Sequence, residues 1–309
     1  MRHLSLLHVI LKIPIWFKLK QNIMKKPFIL ALSIVLLACQ QQSDSDLKEL
    51  YSLPKKLKEV SGITYFPETN SIYTLEDSGN KNAIYAINSK GKLEKTITIS
   101  NATNVDWEDI TKDKKGNIYI GDFGNNDNER RDLCIYKVAK NQLNQETAKA
   151  EYKISFSYPE QTEFPPKKKE LFYDVEGFFE KDGYFYLFTK NRSKGFDGTA
   201  FIYKIKNAPG TQKAVKTGEF KTCSNYNHCV LTSATISPDG KKVVLLSHDK
   251  IVLFKGYKGD LFHKGTQTEI SLDHFSQKEA IVFKDNNTLL VSDEKTNKIG
   301  GKVYEFKLK

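Results

Sequence analysis

The sequence lacks the motifs by which many enzymes show their chemistry. It has no Gly-x-Ser-x-Gly nucleophile elbow, no glycine loop built to cradle phosphate and no metalloprotease helix. Those absences exclude the most sharply defined serine hydrolase, nucleotide-binding and zinc-protease signatures. Helical periodicity is nearly missing from residue 50 onward, which excludes a helical bundle. The formal net charge is +11, yet the lysines are interleaved with acids, and no basic stripe carries aromatics. Nucleic-acid binding therefore has no footprint. Cysteine is scarce, at four, so each can be weighed singly.

The N-terminal end has the form of an export signal. Met24-Lys25-Lys26 precedes an apolar stretch from Phe28 to Ala38, which ends in Leu36-Leu37-Ala38-Cys39. Eleven residues are too few to span a bilayer as a helix, which needs roughly 20. The small residue before Cys39 makes this segment resemble a bacterial lipoprotein signal, cut before Cys39 and lipidated on its thiol. The simpler alternative is an ordinary signal peptide with a chance cysteine. Residues 1–38 are thus read as leader and signal peptide, 39–46 as lipidated Cys39 and a polar tether, and 47–309 as one folded domain. The resemblance implies a cell-envelope location, with the anchor in the outer membrane on its periplasmic or surface side. Loss of the leader's six basic residues leaves the mature chain near +5.

Cys223 and Cys229 flank the polar run Ser-Asn-Tyr-Asn-His, and in an oxidising compartment they are expected to form a local disulfide. The rival is a Cys–His metal site with His228, which lacks the further ligands of a closed zinc site. Cys134 lies in an apolar strand and reads as a small buried hydrophobe.

What the sequence does contain is a repeat of short Ile-, Val-, Tyr- and Phe-rich runs between Gly, Asn, Asp and Pro turns. Five paired runs start at Ser61, Glu108, Glu176, Ser233 and Glu279, and they return to end at Asp77, Asp122, Asn191, His248 and Asp293. A third strand follows each pair and a fourth, more polar strand follows the first four. This is the plan of an all-β propeller with five four-stranded blades. Residues Leu47 to Leu53 are placed to supply the missing strand of the last blade and close the ring, which removes an exposed edge. A six-bladed ring would need a unit that is not found.

In such a blade, the start of strand one and the end of strand two share one rim. Glu108, Glu176 and Glu279 then converge on one axis, where like charges 4 Å apart cost about 4 kcal/mol at an effective dielectric of 20. A cation, protonation of one carboxyl or side chains splayed into water would offset this. Oxygen donors suit a hard cation, calcium first, with Glu108, Glu176 and Glu279 as its ligands. The alternative is that each acid binds backbone amides of the next blade and fixes ring closure. Asp77, Asn191 and Asp293 are candidate ligand-binding residues on the same rim. The polar loops Glu76 to Asn80 and Gly121 to Asn128 are further candidates, although Asn and Gly also favour tight turns for backbone reasons. His248 and Asp122 are candidate bases, and Trp107 either stacks a ligand or packs between blades.

Ser61-Gly62, Asp106-Trp107-Glu108-Asp109, Asp174-Val175-Glu176-Gly177 and Ser237-Pro238-Asp239-Gly240 make the mature chain resemble secreted bacterial propellers of the phytase-like esterase and SdiA-regulated groups. In the related gluconolactonase and paraoxonase types, a channel calcium held by Glu, Asn and Asp activates an ester, lactone or phosphoester. Those propellers are usually six-bladed, and their Asn ligands have no one-for-one match here. The resemblance implies a calcium-dependent hydrolase of small esters, lactones or phosphoesters. The alternative is a non-catalytic module that binds a small molecule or protein at the same rim. The expected membrane contact is through the lipid alone.

Overall fold

The computed structural model describes residues 46–297 and 299–309. The export segment and Cys39 lie outside the described residues. Strand β1 (Leu47–Ser52) comes first. The first blade is β2 (Val60–Phe66), β3 (Ser71–Glu76), β4 (Ala83–Asn88) and β5 (Leu93–Ile99). The second holds β6 (Trp107–Lys112), β7 (Ile118–Asp122) and β8 (Cys134–Val138). The two-residue β9 (Thr147–Ala148) then leaves to pair in parallel with β5 before β10 (Tyr152–Ser157) completes the second blade. The third holds β11 (Asp174–Lys181), β12 (Tyr184–Lys190) and β13 (Thr199–Lys206), then β14 (Gly210–Lys213), which pairs in parallel with β10, and β15 (Val215–Lys221). The fourth is β16 (Ser233–Ile236), β17 (Lys242–Leu246), β18 (Lys250–Lys255) and β19 (Thr266–Ser271). The fifth is β20 (Lys278–Phe283), β21 (Thr288–Asp293) and β22 (Lys302–Lys307).

Five antiparallel blades make up the propeller, as the repeat requires. The fifth takes β1 as its outer strand, paired with β22 from Leu47 opposite Phe306 to Ser52 opposite Lys302. The ring is therefore closed by the segment identified from sequence. Two sheets have five strands rather than four, because β9 and β14 each cover the outer edge of the preceding blade. Only short helical turns interrupt this pattern, among them Tyr226–Cys229.

Each core lies between two neighbouring blades, so the middle strands are apolar on both faces. Val243 and Leu245 pack with Phe179 and Phe188 of the third blade. Their alternates Val244 and Leu246 pack with Ile281 and Leu289 of the fifth. This explains the continuous apolar runs: a strand covered on both sides has no solvent face to mark with alternation. Trp107 is fully buried in the core between the first two blades, and its indole donates to the Thr103 carbonyl, so it packs rather than stacking a ligand.

The innermost strands β2, β6, β11, β16 and β20 neighbour one another around the axis. Four of them carry a β-bulge at their first turn, and the extra residues are Ser61, Glu108, Glu176 and Glu279. A bulge opposes two residues to one and re-aims a side chain. β16 is regular there, with Ser233 directly opposite Leu246.

Candidate functional site: an acidic channel mouth

The bulges open into a cavity of about 160 Å³ at one end of the channel. Glu108, Glu176, Glu279, Asp77, Glu59 and Glu294 line it, together with Lys190, Arg192, Asn126, Gln277 and Ser61. The three glutamates expected on one rim do share it.

Two carboxylate groups meet at Glu108. Asp77, Asp106 and Glu108 place oxygens within 4.8 Å of one another, and so do Glu108, Asp174 and Glu176. Glu279 joins neither group. Of the three expected metal ligands, Glu108 and Glu176 are thus brought together with Asp174. Glu176 is engaged elsewhere: Lys190 Nζ lies 2.8 Å and an Arg192 terminal nitrogen 2.9 Å from its Oε1. Arg192 also donates to Asp174 at 2.6 Å and to Asn126. The Glu108 carboxylate has no hydrogen bond or ion pair, and the buried Oδ1 of Asp106 no donor, among the described residues.

Charge crowding shows in the acidities. Burial, then Asp77 alongside, pushes Asp106 up to about 7. Burial, reinforced by Glu176, Asp174, Asp106 and Asp77, raises Glu108 well above the carboxylate range. Glu176 rises to about 7, chiefly through burial and against the pull of Lys190. Glu279 rises to about 8, again through burial first and against Lys190.

The loop after β7 closes one wall, and a glycine lets it. A Cβ on Gly124 would collide with the carboxylates of Glu108 and Asp106. The same loop ties the second blade to the third: the Asn125 amide donates to Asp174 at 2.7 Å, and Asn128 accepts from the Tyr173 amide at 2.7 Å. These asparagines act chiefly as staples, and Asn126 alone faces the mouth. Backbone staples between blades also come from Asp109, which accepts from the amides of Ile110 and Phe178, and from Ser61, which donates to the Trp107 carbonyl.

Several residues expected at the rim turn elsewhere. Asp122 is buried, and Arg130 holds its carboxylate at 2.9 Å. Asn191 is buried, and it accepts from the Ser193 amide. Asp293 is buried and bound to the Tyr304 hydroxyl at 3.0 Å and the Lys302 amide at 2.9 Å. His248 stands 3.9 Å from Glu279 but does not line the cavity. Burial, with Lys190 and Lys278 adding to it, holds its pKa down to about 4, so it is neutral at physiological pH. Asp77 is the expected ligand-binding residue that does reach the cavity. Cys223 and Cys229 are joined in a disulfide, and Cys134 is buried with a free thiol. His228 pairs with Asp249 at 2.5 Å.

Sequence reasoning passed over Asp106, Asp174, Lys190 and Arg192 as site residues. The first two had a signal, since Asp-x-Glu appears twice and puts both carboxylates on one side of a strand end. The rim pattern selected Asn191, whereas its neighbours Lys190 and Arg192 point to the axis.

Comparison with protein-family models gives no match, and neither does comparison with curated protein sequences. Among solved structures, the fold is similar to the PQQ-bound aldose sugar dehydrogenase from Streptomyces coelicolor. The identity is 10%, the match covers 84% of this chain and 97% of that one, and the TM-score is 0.51. It is also similar to the WD40 repeats of RRP9, at 10% identity over 86% and 98% of the chains, with a TM-score of 0.43. At 10% identity the likeness to the dehydrogenase defines the class, a β-propeller, and nothing finer.

Proposed function

We propose that this chain is an exported, lipid-anchored propeller whose acidic mouth binds a hard divalent cation, calcium first. The observation that carries the reading is Glu108: a buried carboxylate shared by two groups of acids and, among the described residues, without a hydrogen-bond donor. The ligand atoms of both groups are carboxylate oxygens, which suit calcium or magnesium and not a thiolate- or imidazole-seeking metal. Asp77, Asp106 and Glu108 would hold the ion, with Asp174 on the far side of Glu108. This moves the centre away from Glu176 and Glu279, because Lys190 and Arg192 already neutralise Glu176. The cavity equals about five water volumes and falls below the ~300 Å³ at which pockets begin to enclose a drug-sized ligand. It suits an ion, its waters and one small polar group.

A bound divalent ion there would supply Lewis-acid polarisation of an ester, lactone or phosphoester oxygen. Arg192 and Lys190 would orient an anionic group, and Glu279, with a pKa of about 8, would hold or release a proton near neutral pH. The second reading is a cation-dependent binding module without turnover. It is favoured by the placement of Asp122 and His248, the two expected bases, outside the cavity lining. A panel of chromogenic esters, lactones and phosphates with added calcium separates the two. Hydrolysis that is lost with chelator and in Glu108→Gln supports the enzyme. Calcium binding with no turnover supports the module, and no calcium binding removes both.

A further inference from the structure

The other end of the channel carries a second, larger cavity. It measures about 620 Å³ and is ringed by the hairpins that join strands one and two of the second, third and fourth blades. These hairpins read from sequence as ordinary turns, and individually they are. Collectively they surround the axis. The inner strands that carry Ser61, Glu108 and Glu176 at their bulges present Thr64, Thr111 and Phe179 three residues further on, and all three line this cavity. The floor is therefore a mixed ring of hydroxyl, methyl and aromatic groups, without a carboxylate, and Ile236, Val282 and Phe283 extend its apolar part.

Four lysines and four acids line this mouth, but they differ in what they touch. Its aspartates are committed. Asp113 accepts from the amides of Lys115 and Asn117 in its own turn. Asp239 is taken by Ser237 and the Lys241 amide, and Asp182 pairs with Lys181 at 2.6 Å. Glu180 accepts from the Gly183 amide at 2.7 Å. Lys112, by contrast, is half-buried beside the floor, its ammonium 5.6 Å from the Phe66 ring; Glu68 and Asp113 act on its charge, but its side chain makes no hydrogen bond or ion pair among the described residues. A half-buried ammonium with no carboxylate in direct contact is able to receive an anion.

We propose that this second mouth binds a small amphipathic anion, an aromatic or aliphatic body bearing one carboxylate or sulfonate. The body would lie over Phe179, Ile236 and Val282, and the anionic group would meet Lys112. The volume falls within the ~300–1,000 Å³ range of small-molecule pockets, and the combination of a largely apolar lining with one placed charge is what such pockets use for orientation. This site is separate from the acidic mouth and does not rest on it.

The test is titration of the purified protein with 1-anilinonaphthalene-8-sulfonate, followed by fluorescence and calorimetry, in wild type, Lys112→Gln and Lys112→Arg. The expected result is one saturable site, with affinity reduced about tenfold in Lys112→Gln, as loss of a charged hydrogen bond implies, and kept in Lys112→Arg. Raised salt should weaken the wild type and leave Lys112→Gln nearly unchanged. Equal affinity in wild type and Lys112→Gln would overturn the proposal, as would weak binding without saturation. If Lys112→Gln does not fold, the salt dependence of the wild type and competition by 2-naphthoate decide: a salt-insensitive or uncompeted signal contradicts the site.

Discussion

Lys190 Nζ lies 2.8 Å from the Glu176 carboxylate, with the lysine side chain 10% and the glutamate 4% exposed. The pair shows how the mouth divides its acids: Glu176 is neutralised from within the protein, and Glu108 is not. Lys190→Met should expose that division in two opposite responses. Removing one partner of a buried pair costs about 3–5 kcal/mol. Because Arg192 remains on Glu176, the loss should be nearer about 2 kcal/mol in denaturant unfolding. Calcium affinity should instead rise, because one competing positive charge has left the mouth.

Stability of the metal-free protein should fall with rising pH. Asp106 and Glu176 are held up to about 7 and Glu279 up to about 8, whereas in the unfolded chain each titrates near its ordinary value of 3.8 or 4.5. Between those limits the folded state binds more protons than the unfolded one, so unfolding free energy decreases as pH climbs. The contribution is intact below about pH 4 and is lost through pH 7–8. Thermal unfolding with chelator from pH 5 to 8.5 checks the sign. Saturating calcium should flatten the decline, and its binding near pH 6 should release protons, visible as a buffer-dependent heat.

Ring closure predicts a specific steric limit. A Cβ on Gly62 would lie 2.7 Å from the Ile110 nitrogen and 2.8 Å from the Asp109 Cα, both on the neighbouring inner strand. Backbone cannot yield there as a side chain can. Gly62→Ala should destabilise by about 2–3 kcal/mol, in the range for overpacked interiors, seen as a lower denaturation midpoint.

The proposed lipid anchor has its own test. Cys39→Ser should move the full-length protein from the detergent-extracted membrane fraction to the soluble fraction. Retention in the membrane would point to another mode of attachment.

The fold was legible because a propeller writes its symmetry into the chain. Runs such as Val243-Val244-Leu245-Leu246 followed by a polar break mark a strand buried on both faces, and five such units leave little choice of architecture. Ring closure by Leu47–Ser52 followed from counting strands. The site was legible at Glu108, Glu176 and Glu279, where the periodic rim position is also the bulge, and at Asp77, just past the end of β3. It was not legible at Asn191, Asp122 and Asp293, because one residue of offset sends a side chain to the opposite face. Nor does local pattern reveal that Arg130 or the Tyr304 hydroxyl will claim an acid. Long-range pairing also hid the second, larger cavity, whose wall comes from turns that look unrelated along the chain.

The most direct test of the central claim is a calorimetric titration of calcium into the purified, chelator-treated protein at pH 7.5, in wild type and Glu108→Gln. One site per chain in the wild type, weakened about a hundredfold or lost when Glu108 is neutralised, is the expected result. Absence of binding in the wild type, or equal affinity in the two proteins, would contradict the assignment of the acidic mouth as a cation site.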